Sequence, residues 1–132
     1  MSDRNVAIVR SVYDNFATGD IPAVVAVLAP DIEWVESPQP ELPHHGTHHG
    51  PDEVVAKVFA TMMAHFDEFA VVPETFHDAG DVVVVEGRAV GKTKAGGILD
   101  APAAWVWTVR DGLAVSNHNY HDTDAWRRAL AV

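Results

Sequence analysis

The stretch that decides the fold of this chain runs from Ala101 to Asp122 and reads APAAWVWTVRDGLAVSNHNYHD. It predicts two antiparallel strands joined at residues 110–112, because Asp-Gly between alternating apolar runs is a strong hairpin signal. A two-residue loop would pair Arg110 with Leu113 and mix polar and apolar side chains on both faces. A three-residue loop ending in a left-handed Gly112 pairs Val109 with Leu113 instead. We adopt this second register, since a slip of one residue moves every side chain to the other face.

In the adopted register, Trp107 pairs with Val115 and Trp105 with Asn117. One face of the hairpin is then apolar near the turn and polar at its far end. Its members are Trp105, Trp107, Val109, Leu113, Val115, Asn117, Asn119 and His121. Such a surface suits a small-molecule pocket, where apolar walls carry a few polar groups. The alternative is that these are ordinary core and rim residues.

Length and composition are those of one globular domain spanning residues 1–132. The hydrophobic fraction of 48% and the charged fraction of 21% are ordinary for such a domain. No apolar run approaches the ~20 residues that a membrane-spanning helix needs. The amino-terminal sequence MSDRNVAIVR lacks the basic and then apolar pattern of a secretory signal, so we expect a cytoplasmic protein.

The charge balance excludes two classes of partner. Lys and Arg together number 9 against 19 Asp and Glu, a formal net charge of −10. Nucleic acids and anionic membranes both demand a basic protein face, so neither is expected as a partner. The chain has no cysteine, which excludes disulfides and thiolate chemistry.

The order of predicted elements indicates an α+β fold in which helices flank a mostly antiparallel sheet. A first helix with an apolar stripe ends at Gly19, and Asp20 caps a short second helix with residues 23–28 as its body. A strand over 31–37 precedes a loop rich in Pro and Gly, which covers something or is mobile. A long third helix is predicted from Pro51 to about Phe69. Four strands (70–77, 82–92, 101–109 and 113–121) and a final helix (122–130) complete the order.

The chain resembles the nuclear transport factor 2-like superfamily, in its SnoaL-like and ketosteroid isomerase-related branch. The segments that carry the resemblance are VRSVYDNFATGD, VLAPDIEWVES, HGPDEV, WVWTVRDGLAV and YHDTDAW. It implies a curved sheet wrapped into a cone around an internal pocket, closed by the N-terminal helices and the long helix. It also implies a homodimer formed through the sheet. The family includes isomerases, dehydratases, epoxide hydrolases, polyketide cyclases and binding modules, so the fold alone does not decide the function.

Only part of the steroid isomerase site has a counterpart in this sequence. The position of the general-base aspartate, counted from Gly19-Asp20, holds Glu36, on the same strand face as Trp34. The two positions that donate hydrogen bonds to the enolate in those enzymes hold Val12 and Trp105. Classical steroid isomerase activity is therefore not expected, because the oxyanion would lack its donors.

We interpret Glu36 as the candidate base, with His121 and Asn119 polarising the substrate. The predicted function is binding of a small, largely apolar organic molecule in the cone. If the chain is an enzyme, the expected chemistry is isomerisation, dehydration or cyclisation by acid/base catalysis without a cofactor. The alternative is a non-catalytic ligand-binding or dimerisation module. The expected substrate-binding residues are Tyr13, Phe16, Trp34, His49, Phe59, Met62, Arg88, Trp105, Trp107 and Asn117.

Two further features leave alternatives open. Glu86 and Arg88 share one strand face, which points either into the pocket or toward a dimer partner. Four histidines (His44, His45, His48 and His49) lie within six positions of the Pro/Gly loop. Imidazoles bind zinc, nickel or copper, but no regular element fixes these four, which favours an adventitious site over a functional one. We assign no metal-binding residue.

Overall fold

A computed structural model describes residues 2–131 as helices packed on an open, curved, six-stranded sheet, which confirms the predicted α+β class. The helices are α1 (Ser2–Thr18), α2 (Ile21–Val25), α3 (Gly50–Val54), a π-helical turn (Val55–Phe59), α4 (Ala60–His65) and α5 (Thr123–Leu130). The strands are β1 (Leu28–Val35), β2 (Thr47–His49), β3 (Phe66–Ala79), β4 (Val82–Thr93), β5 (Ile98–Arg110) and β6 (Leu113–His121).

The residues between the first two helices, Gly19 and Asp20, fix the end of α1 and the start of α2. Gly19 follows α1 with a φ of 75°, a left-handed conformation that glycine adopts without a steric penalty. The Asp20 carboxylate then accepts a hydrogen bond from the Ala23 backbone N–H and caps α2. α2 is shorter than predicted, because the chain already enters β1 at Leu28.

The sheet has the strand order β2-β1-β6-β5-β4-β3. The neighbours β1 and β6 run parallel, and the other neighbouring pairs are antiparallel. The three-residue strand β2 was not predicted, since residues 47–49 lie inside the Pro/Gly loop. Because β1 and β6 are adjacent, the end of the first strand lies beside the end of the last one.

The β5–β6 turn differs from the register that we adopted. Arg110 pairs with Leu113, so the loop has two residues, Asp111 and Gly112, with φ of 52° and 79°. Two consecutive positive φ angles are typical of a type I′ turn, whose twist matches that of the flanking strands. The prediction of a three-residue loop, with Val109 opposite Leu113, is therefore wrong.

A β-bulge in β6 restores the predicted grouping of side chains further along. Ala114 and Ser116 pair with consecutive residues of β5, which leaves Val115 as an extra, unpaired residue. Beyond it, Trp107 pairs with Asn117 and Trp105 with Asn119, each two positions from the predicted partner. The tryptophans and the polar end of β6 thus still share one face.

The predicted long helix is formed by α3, the π-helical turn and α4 in succession, and it ends four residues earlier than predicted, at His65. The backbone turns extended at Phe66, and residues 66–79 form β3, which pairs with β4. The helical period of the sequence continues to Phe69, but pairing with β4 overrides this local preference. Phe69 is consequently 36% exposed rather than a member of a buried helical stripe.

The inner face of the sheet and the helices enclose the apolar core. α1 contributes Val9 and Val12, which are fully buried, and they pack in one cluster with Trp107 and Val109 of β5. A smaller cluster contains Met62, Phe66 and Trp126, which join the long helix, β3 and α5. Within the described residues, no helix is long and apolar enough to cross a membrane.

Candidate functional site

A cavity of about 640 Å³ lies between the concave face of the sheet and the helices. Aromatic rings from α1, the long helix, the sheet and α5 form much of its wall: Tyr13, Phe16, Trp34, Phe59, Phe66, Phe69, Trp105, Trp107 and Trp126. A cavity of this size accommodates a small organic molecule, and its composition favours a flat, largely apolar one.

The aromatic wall is held by ring-to-ring contacts between elements. Trp34 meets the rings of Phe59 and Trp107 edge-on, each with a centroid separation of 5.6 Å. Tyr13 contacts Trp105 and Trp107, with centroids 5.4 Å and 6.1 Å away. Such pairs contribute about 0.5–1.5 kcal/mol each beyond the burial of their area. The wall is therefore preformed rather than assembled by a ligand.

Among the described residues, Glu36 is the one acidic side chain that is buried among these rings, with 6% of the residue exposed. It follows β1 and lies on the same side as Trp34, as predicted from the alternation of the strand. The Trp34 indole N–H donates to its Oε2 across 2.7 Å. The Nε2 atom of His121, at the end of β6, lies 3.2 Å from its Oε1. A buried carboxylate needs such donors, because burial of an unpaired charge is costly.

His44 adds a second imidazole to this carboxylate. Its Nε2 lies 3.7 Å from Glu36 Oε1, and the residue is only 2% exposed. Burial lowers the pKa of His44, and the opposing effect of Glu36 is smaller. Its imidazole is therefore predominantly neutral at pH 7 and can accept a proton, which it can then pass on.

The Pro/Gly loop places His44 by folding back on itself. The backbone N–H of Glu36 donates to the Gly46 carbonyl, and that of Gly46 donates to the Ser37 carbonyl. The His48 Nε2 atom contacts the His44 carbonyl at 3.0 Å. Together with the fully buried Leu42, these bonds give the loop a defined path over one end of the cavity. Of the four loop histidines, only His44 lines the cavity.

The two amides of β6 have different surroundings. Asn119 Nδ2 donates to the Val35 carbonyl across 3.1 Å and so ties β6 to the end of β1. Asn117 is fully buried between Trp34 and Trp107 along the sheet, and neither atom of its amide has a partner among the described residues. Both residues line the cavity, but only the Asn119 amide is already occupied by a protein partner.

Tyr13 supplies a hydroxyl to the opposite wall. It accepts a hydrogen bond from the Trp107 indole N–H across 2.9 Å. Burial raises the pKa of Tyr13 well above its usual value, so the phenol keeps its proton. Its O–H group is therefore available as a donor.

Two of the predicted substrate-binding residues lie outside the cavity. His49 is exposed at the start of α3, where its backbone N–H donates to the Glu53 carboxylate. Arg88 faces outward from β4 and pairs with Asp100 at 2.7 Å. Glu86, which shares its face, pairs with His77. This strand face therefore points away from the pocket, which excludes the first of the two alternatives that the sequence left open.

The other predicted residues line the cavity: Tyr13, Phe16, Trp34, Glu36, Phe59, Met62, Trp105, Trp107, Asn117, Asn119 and His121. Two important lining residues were not predicted. His44 lies in an irregular loop, where there is no helical or strand periodicity from which to predict the direction of a side chain. Trp126 was placed only in the final helix, although it packs on both His44 and His121, at centroid distances of 4.7 Å and 5.3 Å.

A family comparison agrees with this architecture. The model of the SnoaL-like domain matches residues 9–117, which is most of the chain. The chain belongs to the SnoaL-like family. Among curated proteins, none matches this SnoaL-like chain.

Solved structures similar to this SnoaL-like protein cover nearly all of it. An NTF2-like protein of unknown function from Burkholderia pseudomallei has a TM-score of 0.91 and 31% identity, with 100% of both chains covered. TerC, co-crystallised with polyporic acid, has a TM-score of 0.90 and 25% identity over 98% of this chain and 99% of TerC. A protein described as a SnoaL-like polyketide cyclase from a Jannaschia species has a TM-score of 0.81 and 22% identity, over 99% and 94% of the two chains. At that identity, the likeness concerns the fold alone.

Proposed function

We propose that the cavity binds a small, flat, largely apolar organic molecule and places its polar group against Glu36. The observation that carries this proposal is a buried carboxylate, with two imidazoles beside it, at one end of a cavity walled largely by aromatic rings. Aromatic walls recognise the body of a ligand, and a few polar groups fix its orientation. The ligand class that fits best is an aromatic or conjugated ring system bearing a hydroxyl or carbonyl group.

The proposed reaction is cofactor-independent acid/base catalysis of the isomerisation, dehydration or cyclisation type. Glu36 accepts a proton from the ligand, while Trp34 and His121 hold the carboxylate in place by hydrogen bonds. The neutral His44 imidazole, 3.7 Å from the same oxygen, passes the proton on or returns it to another ligand atom. Asn119 is bonded to the Val35 carbonyl, so we now assign it a positioning role at the junction of β1 and β6.

One comparison supports this class of ligand. TerC, which is similar over 98% of this chain, was co-crystallised with polyporic acid. Polyporic acid is therefore the first probe to try.

Replacement of Glu36 by Gln tests the proposal. The variant keeps the shape and a hydrogen-bonding group but removes the negative charge that accepts a proton. We expect Glu36→Gln to bind polyporic acid or a related aromatic enol with comparable affinity and to lose at least about 100-fold in turnover, the usual scale for a general base. Binding is measured by tryptophan fluorescence, because all four tryptophans line the cavity.

The matched control is Glu33→Gln, since Glu33 lies on the outer face of the same strand and pairs there with His118 at 3.3 Å. Full turnover by the Glu36 variant would refute the catalytic role. Binding without turnover by the unmodified protein would favour a non-catalytic binding module. Absence of binding across a panel of aromatic enols and ketones would refute the ligand class itself.

We also propose that two copies pair through the outer face of the sheet. Val106 lies between the inward Trp105 and Trp107 and so points outward, as does its neighbour Val84 on β4. Tyr120, on the same face, is 59% exposed. Light scattering should therefore report a dimer that Val106→Glu dissociates. A monomeric unmodified protein would contradict this arrangement.

A further inference from the structure

Three side chains from separate parts of the chain converge at the polar end of the cavity. Glu36 follows β1, His44 comes from the loop, and His121 ends β6. We propose that they form a binding site for a divalent transition-metal ion, with Zn²⁺ as the best match. This inference goes beyond the proposed function and does not depend on which organic ligand binds.

The separations between the donor atoms fit one ion. Glu36 Oε1 lies 3.2 Å from His121 Nε2 and 3.7 Å from His44 Nε2, and one ligand atom from each of the three residues lies within 4.8 Å of the other two. Ligands about 2.0–2.2 Å from a tetrahedral ion lie about 3.3–3.6 Å apart. Small rotations of the imidazoles therefore suffice to bring all three donors onto one ion.

The donor types select the class of metal. Two imidazole nitrogens and one carboxylate oxygen suit zinc and its neighbours in the transition series. Magnesium and calcium prefer all-oxygen ligands, so they match this set poorly. Three protein ligands leave at least one coordination position unfilled. Because all three residues line the cavity, that position is available to a ligand oxygen or a water molecule.

The surroundings restrain two of the three donor residues, Glu36 and His44. The Trp34 indole N–H occupies Glu36 Oε2 and leaves Oε1 for the ion. The His48 ring contacts the His44 carbonyl and fixes the backbone that carries the His44 imidazole. The side chains of the three donors are only about 3–6% exposed, so bulk water competes weakly for the ion. Outer contacts of this kind orient metal ligands, whereas the Nδ1 atoms of His44 and His121 have no hydrogen-bond partner among the described residues.

Occupation of this site has a consequence for the proposed catalysis. The ion would bind the Glu36 oxygen that faces both imidazoles, so the ion and a substrate proton compete for it. We therefore expect Zn²⁺ to suppress metal-free acid/base turnover while the aromatic walls remain able to hold the organic ligand. The metal-free and metal-bound forms would thus be two functional states of one cavity.

Metal titration of protein freed of any affinity tag tests the inference. Calorimetry with Zn²⁺ should show one ion per chain, and Co²⁺ should give the visible absorption bands of a tetrahedral site. Glu36→Gln, His44→Gln and His121→Gln should each weaken Zn²⁺ binding by at least about 100-fold, because loss of an outer-sphere partner alone costs about 10–100-fold. The control His49→Gln, in the same loop but outside the cavity, should bind as the unmodified protein does.

Two results would overturn the inference. One is absence of stoichiometric binding, which leaves the proposed binding of an organic ligand intact. The other is weakening by His49→Gln equal to that by His44→Gln, which would assign the ion to the exposed histidines of the loop. Far-ultraviolet circular dichroism and thermal melts show whether each variant is folded. If a histidine variant does not fold, Glu36→Gln decides the outcome alone.

Discussion

The hydrogen bond between Trp34 and Glu36 positions the carboxylate, and its strength can be measured. We consider Trp34→Phe, Glu36→Leu and the double variant. The indole N–H donates to Oε2 across 2.7 Å, and both residues are about 95% buried, so solvent screens the interaction little. Hydrogen bonds to charged groups contribute about 1.5–3 kcal/mol, and we expect a coupling free energy in that range.

The coupling free energy is obtained from urea unfolding of the four proteins in a double-mutant cycle. Far-ultraviolet circular dichroism is the appropriate signal, because removal of a tryptophan changes the fluorescence. The cycle removes the separate costs of lost packing in each single variant. The changes in free energy of unfolding caused by two distant, independent substitutions add to within about 0.5 kcal/mol. A coupling below that value would show that Trp34 does not hold the carboxylate.

Two other predictions concern Tyr13 in the cavity wall and Gly87 in the sheet. Burial raises the pKa of Tyr13, so its phenol should show no tyrosinate absorbance in Tyr120→Phe protein until the chain unfolds. The Tyr13 phenol ionises at about pH 10 in the unfolded chain and only at higher pH in the folded one. The stability that comes from its raised pKa is therefore complete below about pH 10 and is lost progressively above it. A tyrosinate signal from folded protein would contradict this prediction. Gly87→Ala would place a Cβ 2.1 Å from the Val72 carbonyl oxygen and should lower the free energy of unfolding by about 1–3 kcal/mol. An unchanged urea midpoint would show that β3 and β4 move apart at Gly87 without a loss in the free energy of unfolding.

Regular alternation explains what could be predicted of the site. The strand pattern placed Trp34 and Glu36 on one face, and it grouped Trp105 and Trp107 with the polar end of β6. These groupings depend only on period-two geometry along a strand. These groupings remain correct although the predicted loop length was wrong, because the bulge at Val115 compensates for the two-residue loop.

Features determined by tertiary contacts were not predictable in the same way. His44 lies in a loop whose sequence has no helical or strand periodicity. The direction of its side chain is fixed by backbone hydrogen bonds between residues well separated in sequence, such as that of Glu36 with Gly46. The helix stops at His65 because the following residues find hydrogen-bonding partners on β4. Trp126 reaches the two imidazoles only because α5 packs back over the end of the sheet.

The central claim is that a flat organic ligand lies among the tryptophans with its polar group against Glu36. A crystal structure of the protein soaked with polyporic acid tests this most directly. We predict density for the ring system between Trp34 and Trp105, with a ligand oxygen within hydrogen-bonding distance of Glu36 or His44. A cavity that stays empty at saturating ligand, or a ligand whose oxygens all point away from that cluster, would contradict the account.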